Sequence, residues 1–370
     1  MAEIRVERLH KEFQGFVAVQ NSSFVIEDRS FFVMLGPSGC GKTTTLRMIA
    51  GLELPTDGRI LLDGKDVTFK RASERDIAFV FQLFALYPHM NVRRNIAFPL
   101  VSVGMKRADV TARVEEAARI LRITELLDRP VSGLSGGDRQ RVALGRAIVR
   151  RPMAFMMDEP LGALDSELRD VMCGELRGLH DRLKATTVYV THDQTEAMSL
   201  GDKIAVMSHG VIEQLGTPRE IYDRPASIFV ADFIGSPPMN LMKFHDSLEP
   251  GRSSVRVGQA EISVPAPREA MTGRDLVLGV RPEHVRLNEG ARLRGEVFET
   301  EYLGTTQIVT ITTAHGIVKA RLASTLNVSI GDQVGLEFRP DRISLFDAGS
   351  GRAIRTALYD HAPAMERAHV

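Results

Sequence analysis

Residues 36–43 read Gly36, Pro37, Ser38, Gly39, Cys40, Gly41, Lys42 and Thr43, a GxxxxGK[ST] pattern. The chemistry this order suits is the holding of a polyphosphate. Glycines let the backbone curl until successive N–H groups face an anion. The Lys42 ammonium is spaced to reach the β and γ phosphates, and the Thr43 hydroxyl to ligate Mg²⁺. Thr44 continues the loop into the next element. The pattern carries this meaning between a strand and a helix. The apolar run at 31–35 predicts the strand and residues 43–52 the helix, whose positive N-terminal end strengthens an anion site.

A second chemical segment lies at 154–159, Ala-Phe-Met-Met-Asp-Glu. An apolar run ending in two acids places carboxylates at the C-terminal mouth of a buried strand, where ligands bind in open α/β sheets. Asp158 is placed to hold Mg²⁺ through water, and Glu159 to orient or deprotonate an attacking water. A third segment, Ser135, Gly136, Gly137 and Asp138, precedes an amphipathic stretch over 136–150. It offers a hydroxyl, bare backbone N–H groups and a helix end to another anion.

The run Leu-Ser-Gly-Gly-Asp-Arg-Gln-Arg-Val-Ala-Leu-Gly-Arg-Ala from Leu134 resembles the signature of the ABC ATPase family. The resemblance covers residues 3–235. It implies that two copies sandwich two ATP molecules head to tail, with Ser135, Gly136, Gly137 and Asp138 closing in trans on the partner's nucleotide. That family usually has Gln where Asp138 stands, and a carboxylate near a triphosphate is unfavourable unless an arginine screens it.

The same resemblance implies further roles. Gln82, in Val-Phe-Gln, is similar to the glutamine that touches Mg²⁺ or the attacking water. Asp165, in Gly-Ala-Leu-Asp, resembles the loop residue through which the two copies meet. His192, in Val-Thr-His-Asp, resembles the switch histidine at the γ-phosphate. Phe13 resembles the aromatic that stacks on adenine, with Phe16 its competitor and a plain core position the alternative. Residues 82–90, ending Ala-Leu-Tyr-Pro-His-Met, resemble the segment of carbohydrate-importer ATPases beside the docking groove for two transmembrane permease subunits. Segments at 216–222 and 279–284 resemble the same importers, of the maltose/maltodextrin and glycerol-3-phosphate types. The implied protein is an ATPase at the cytoplasmic face of the inner membrane, a homodimer that works with those permeases and a separate solute-binding protein.

The elements needed to position these groups are legible as alternation. Strand-like runs at 31–35, 77–81, 154–157 and 187–190 alternate with helical patterns at 43–52, 109–127, 136–150 and 168–183. This predicts a parallel sheet covered by helices, and with it the resemblance implies an α/β P-loop NTPase fold, a RecA-like core with a helical subdomain over about 88–151, in a domain spanning 1–235. Gly-Ser-Pro-Pro at 235–238 reads as a linker. Beyond it, about five strand-like runs without helices predict an all-β, OB-like domain over 236–348. The polar stretch 349–370 reads as a frayed tail. Asp28-Arg29 stands where a turn is expected, which would put Arg29 at a positive φ.

Composition bounds the alternatives. The 370 residues carry 47 basic and 47 acidic side chains, a formal net charge of zero, without the basic excess of a nucleic-acid binder. Two cysteines make no disulfide framework and no metal spacing, which fits a reducing setting. The first ten residues have no apolar signal core, and no run reaches the about 18 apolar residues of a membrane span. OB-like barrels also bind oligonucleotides, so an ABC protein acting on nucleic acid stays open, although none is expected as a partner. So does a C-terminal domain serving as a regulatory or homodimer-contact module.

Overall fold

The computed structural model describes residues 2–81, 85–162 and 164–360. Contacts divide the chain into two units, residues 1–218 and one that begins at Arg219.

The first unit opens with β1 (Ile4–Phe13) and β2 (Phe16–Ile26), an antiparallel hairpin. Next come β3 (Phe31–Leu35), α1 (Lys42–Ala50), β4 (Asp57–Leu62), β5 (Lys65–Asp66) and β6 (Ile77–Val80). Three helices follow, α2 (Val92–Ser102), α3 (Arg107–Ile120) and α4 (Gly136–Ile148). The chain then returns through β7 (Ala154–Asp158), α5 (Ser166–Leu183), β8 (Thr186–Thr191), α6 (Gln194–Leu200), β9 (Lys203–Ser208) and β10 (Val211–Gly216).

These strands make two sheets. One is antiparallel, in the order β2-β1-β4-β5; the other runs β10-β9-β3-β8-β7-β6 and is parallel except between β9 and β10. The six-stranded sheet is covered on both faces, so its strands are apolar throughout rather than alternating. Phe32, Met34, Met156, Val188, Val190 and Met207 share one core with Leu46 of α1 and with Ile4, Phe24 and Ile26 of the antiparallel sheet. The other face, through Phe31, Phe155 and Met157, meets Leu144 of α4 and Leu176 and Leu179 of α5.

The antiparallel sheet is an addition to the layers expected from the alternation. Residues 109–127 form no single helix: α3 ends at Ile120, and Arg122 takes a left-handed φ of 55°. The expected positive φ at Arg29 is present at 62°, its N–H donating to Thr186 Oγ1 at 2.9 Å.

The second unit carries α7 (Pro218–Asp223) and α8 (Ile228–Phe233), then β11 (Asn240–Leu248), β12 (Ser254–Val257), β13 (Ala260–Ser263) and β14 (Met271–Val280). After these come β15 (Val285–Leu287), β16 (Arg294–Tyr302), β17 (Thr306–Thr313), β18 (Gly316–Ala323), β19 (Gln333–Phe338) and β20 (Ile343–Asp347). All pairings are antiparallel, in sheets β11-β14-β20, β12-β13 and β15-β19-β16-β17-β18 around one core. Four of the runs are each split by a turn or a 3₁₀ segment, the run at 293–301 is the single strand β16, and β11 is an addition, so ten strands stand where about five were expected.

The second unit takes in residues 219–234 as well as the β strands. Arg281, 2% exposed, donates through Nε and Nη2 to Tyr222 O at 3.1 and 2.7 Å, and through Nη1 to Ile234 O. Its guanidinium also lies 3.9 Å from the Tyr222 ring centre. A buried cation needs such partners, and they bind residues 219–234 to the β unit. Part of the stretch read as a frayed tail packs on the β unit. Ile354 is buried in the β core, and Thr356 bridges Pro267.

Candidate functional site

Three loops meet at the C-terminal edge of the parallel sheet. Strand β3 leads into the glycine-rich loop, β7 ends at Asp158, and β8 ends just before His192. Two glycines of the loop have no substitute. A Cβ on Gly36 would lie 2.2 Å from Met207 O, and one on Gly41 2.3 Å from Ala18 O. Gly41 also takes a φ of 103° at the N-terminus of α1. Pro37, Ser38 and Gly39 are exposed, while Gly36 and Cys40 are buried. Burial pushes the Cys40 thiol up, partly offset by Lys42.

Lys42 is buried inside the cradle, and its Nζ donates to Gly36 O and Pro37 O, both at 2.8 Å. Thr43 Oγ1 donates to Asp158 Oδ1 at 2.8 Å, so a residue 115 positions away is held against the start of α1. Burial raises the Asp158 carboxyl above its ordinary range, opposed by the Thr43 hydroxyl and by the Arg47 and Lys42 charges. The paired hydroxyl and carboxylate fit Mg²⁺, which takes hard oxygen donors, keeps several waters and uses few protein ligands alongside phosphates.

Glu159 follows at a left-handed φ of 43°, its N–H donating to Val190 O at 3.0 Å. This turn aims its carboxylate at the neighbouring strand end, where His192 Nδ1 lies 3.3 Å from Glu159 Oε2. Thus Lys42, Thr43, Asp158, Glu159 and His192 come together. Gln82 lies outside the described residues.

Phe13 and Phe16 flank the tight turn of the β1–β2 hairpin and are 41% and 62% exposed, so neither is a core residue. Lys11 Nζ sits 4.5 Å from the Phe13 ring centre. Strand β2 runs beside the cradle at Ala18, which brings the hairpin to the same side.

The signature segment is elsewhere. Ser135 caps α4, and among the described residues no hydrogen bond or ion pair joins 135–138 to 36–43. Gly136 and Gly137 instead abut Leu164 and Leu168, where a Cβ would meet side-chain carbons at 3.3 and 3.4 Å. Asp165 caps α5, accepting from Leu168 N at 2.9 Å. The screening arginine for Asp138 exists: Arg141 Nη1 lies 3.4 Å from its Oδ1.

Two residues were not singled out from sequence. Arg169 donates to Leu164 O at 2.9 Å and to Asp193 Oδ2 at 3.0 Å, tying the loop before Asp165 to the one after His192. Asn95, fully buried, donates to Tyr87 O and Met90 O and accepts from Tyr87 N, fixing the segment before α2. An arginine four positions after a helix cap reads as surface, and an asparagine inside a helix pattern as an exposed polar; neither carries a sequence signal.

A cradle, a hydroxyl–carboxylate pair and a carboxylate–histidine pair at one sheet edge define a P-loop nucleotide hydrolase. Residues 19–162 match the family described as ABC transporter, 235–285 the MalK OB fold domain and 278–346 the TOBE domain. The chain is 44% identical to the trehalose import ATP-binding protein SugC of Mycobacterium tuberculosis, over 95% of this chain and 98% of that one. It is 45% identical to the sn-glycerol-3-phosphate import ATP-binding protein UgpC of Bordetella avium, over 96% and 99%. The solved dimeric structure of MJ0796, a bacterial ABC transporter cassette, superposes with a TM-score of 0.53 at 30% identity, over 58% of this chain and 99% of that one. The chain belongs to the ATP-binding proteins of the ABC transporter family, and it is an ATPase with a C-terminal OB-type domain.

Proposed function

We propose that this chain is the ATP-hydrolysing subunit of an importer that takes up a sugar or sugar derivative through separate membrane chains. The relatives named for trehalose and for sn-glycerol-3-phosphate import support the solute class. No described helix is long and apolar enough to cross a membrane, which fits a peripheral subunit at the cytoplasmic face and leaves the pathway to two permease subunits. A separate solute-binding protein delivers the solute. Residues 85–90, carried by Asn95 and by Arg146 bonded to Ala85 O at 2.6 Å, are the permease dock.

The mechanism follows from the site. The Phe13 face takes the adenine ring. The loop 36–43 and Thr44 surround the phosphates, and Lys42 turns its ammonium from the loop carbonyls to the β and γ oxygens. Thr43 and Asp158, with Gln82, would hold Mg²⁺, which would neutralise phosphate charge. Glu159 orients and deprotonates the attacking water, while His192, held by Glu159, faces the γ-phosphate. Ser135, Gly136, Gly137 and Asp138 meet the partner copy's nucleotide, and Asp165 contacts that copy. Binding of ATP closes the pair, closure moves the docked membrane chains, and hydrolysis reopens them.

The observation that carries this reading is the pairing of Glu159 with His192 beside the Thr43–Asp158 pair, a water-activating group next to a metal-holding one. The test compares ATP turnover and ATP binding in Glu159→Gln. Turnover is expected to fall about 10²- to 10⁴-fold with binding retained. Loss of binding together with turnover would contradict the assigned role.

A further inference from the structure

The N-terminus of α4 already holds an anion, and it is the protein's own. Asp138 stands in the first turn of the helix, where a negative charge meets the helix dipole and the free N–H groups. Ser135 has one hydroxyl proton to give, and it donates it to Asp138 Oδ2 at 2.8 Å. Asp138 N donates back to Ser135 Oγ at 3.2 Å, the N-cap bond of the helix. The other oxygen, Oδ1, faces Arg141 Nη1 at 3.4 Å. Arg141 is fixed in turn by Glu175, to which Nε and Nη2 donate at 3.0 and 2.9 Å. Both carboxylate oxygens of Asp138 are therefore engaged. The cluster of Asp138, Arg141 and Glu175 carries one net negative charge.

We propose that Asp138 is a latch on the signature segment: it holds the Ser135 proton and occupies the helix end, so a partner's γ-phosphate must displace it. This rests on the reading that Ser135 acts in trans. A hydroxyl cannot donate to Asp138 and to a phosphate oxygen at once, so the Ser135–Asp138 bond opens before the sandwich closes. Two costs then set the ATP level at which the pair closes, the lost charged hydrogen bond and the approach of a carboxylate to a triphosphate. Asp138 is a positioning residue, since it acts through Ser135. Its effect is to make this ATPase respond at higher ATP than it would with a neutral side chain there.

The test uses the full chain and the ATP concentration giving half-maximal turnover, measured in a two-by-two set: wild type, Asp138→Ala, Ser135→Ala and the double variant. The latch predicts that Asp138→Ala lowers the half-saturating concentration about tenfold when Ser135 is present, and much less in the Ser135→Ala background. An unchanged or raised value overturns it. An equal fall in both backgrounds also overturns it, because charge repulsion alone would then account for the effect. If Ser135→Ala alone leaves turnover and half-saturation untouched, the trans role of Ser135 fails and the latch with it. Asp138→Asn keeps an acceptor for Ser135 without the charge and is expected to fall between wild type and Asp138→Ala. It serves as the second variant if Asp138→Ala does not fold.

Discussion

At the scale of single residues, position is set by backbone as much as by side chain. Glu159 adopts a left-handed φ that costs a non-glycine residue on the order of 1 kcal/mol or more, and the neighbouring Val190 carbonyl holds it there. That conformation points the carboxylate at His192 rather than along the strand. Three outcomes are expected from ATPase and nucleotide-binding assays on purified protein. Glu159→Gln keeps binding and loses turnover. Lys42→Ala loses both, because its ammonium is the only side-chain cation built into the cradle among the described residues. His192→Ala spares binding more than turnover. An equal loss of binding in all three would break these assignments. The residues proposed to face phosphate were legible as a group because the chemistry read into them demands a fixed spacing along the chain. Arg169 was not, since the carbonyl and carboxylate it joins lie 5 and 24 positions away and meet only in the fold.

Elements decide how firmly those residues are held. Helix α1 ends at Gly51, and the carbonyls of Met48 and Ile49 at its C-terminus accept from Arg75 Nη1 at 2.7 and 2.8 Å. The same guanidinium donates to Lys70 O and Thr68 O. Arg75 is 2% exposed, so Arg75→Ala would take a donor from four carbonyls, three of them in buried contacts. Denaturant unfolding of that variant is expected to show a loss of about 3 kcal/mol. A loss within the scatter of surface changes would refute this anchoring of the cradle's helix.

His180 gives an element-level pH response. Its ring packs edge-on against Phe31 at 5.2 Å, and burial lowers its pKa below 6.5. A lowered base favours the neutral ring in the fold, while the unfolded chain takes up its proton near 6.5. The contribution is thus complete above pH 6.5 and is lost as pH falls from there towards the lowered value. His180→Phe is expected to melt with a shallower dependence on pH below 6.5 than wild type; identical slopes would contradict the assignment.

The strands of the parallel sheet were readable because burial on both faces makes each a short apolar run. The β1–β2 hairpin was not. Register shifts between Val6 and Leu9, Leu9 and Lys11, and Lys11 and Glu12 break its period of two, and Arg8 and Asn21 turn to positive φ. In the β unit, alternation continues through turns marked by one glycine, Gly258 or Gly316, so paired strands read as one.

For the whole molecule, the proposal divides labour between two units and two copies. The Tyr87 ring packs tilted against Phe98 with centres 4.5 Å apart, so it supports the dock as much as it presents it. Met90 is the cleaner probe. Met90→Glu is expected to reduce solute uptake by the assembled transporter severalfold while the purified subunit keeps its ATPase rate; equal loss of both would point to folding rather than docking. Residues 219–234 are joined to the β strands by groups far along the chain, among them a buried arginine 47 positions beyond Ile234 and the backbone pairs Ile228–Gly351 and Ala226–Ala353.

The central claim is that the cradle of one copy works against the signature segment of another. It is tested most directly by mixing two full-length proteins, each carrying Glu159→Gln, one with Ser38→Cys and the other with Ser135→Cys, and treating them with a short thiol crosslinker. The account predicts a two-chain product that forms in the mixture with Mg-ATP and not without it. A mixture that binds ATP yet yields no two-chain product would contradict the trans arrangement and the mechanism built on it.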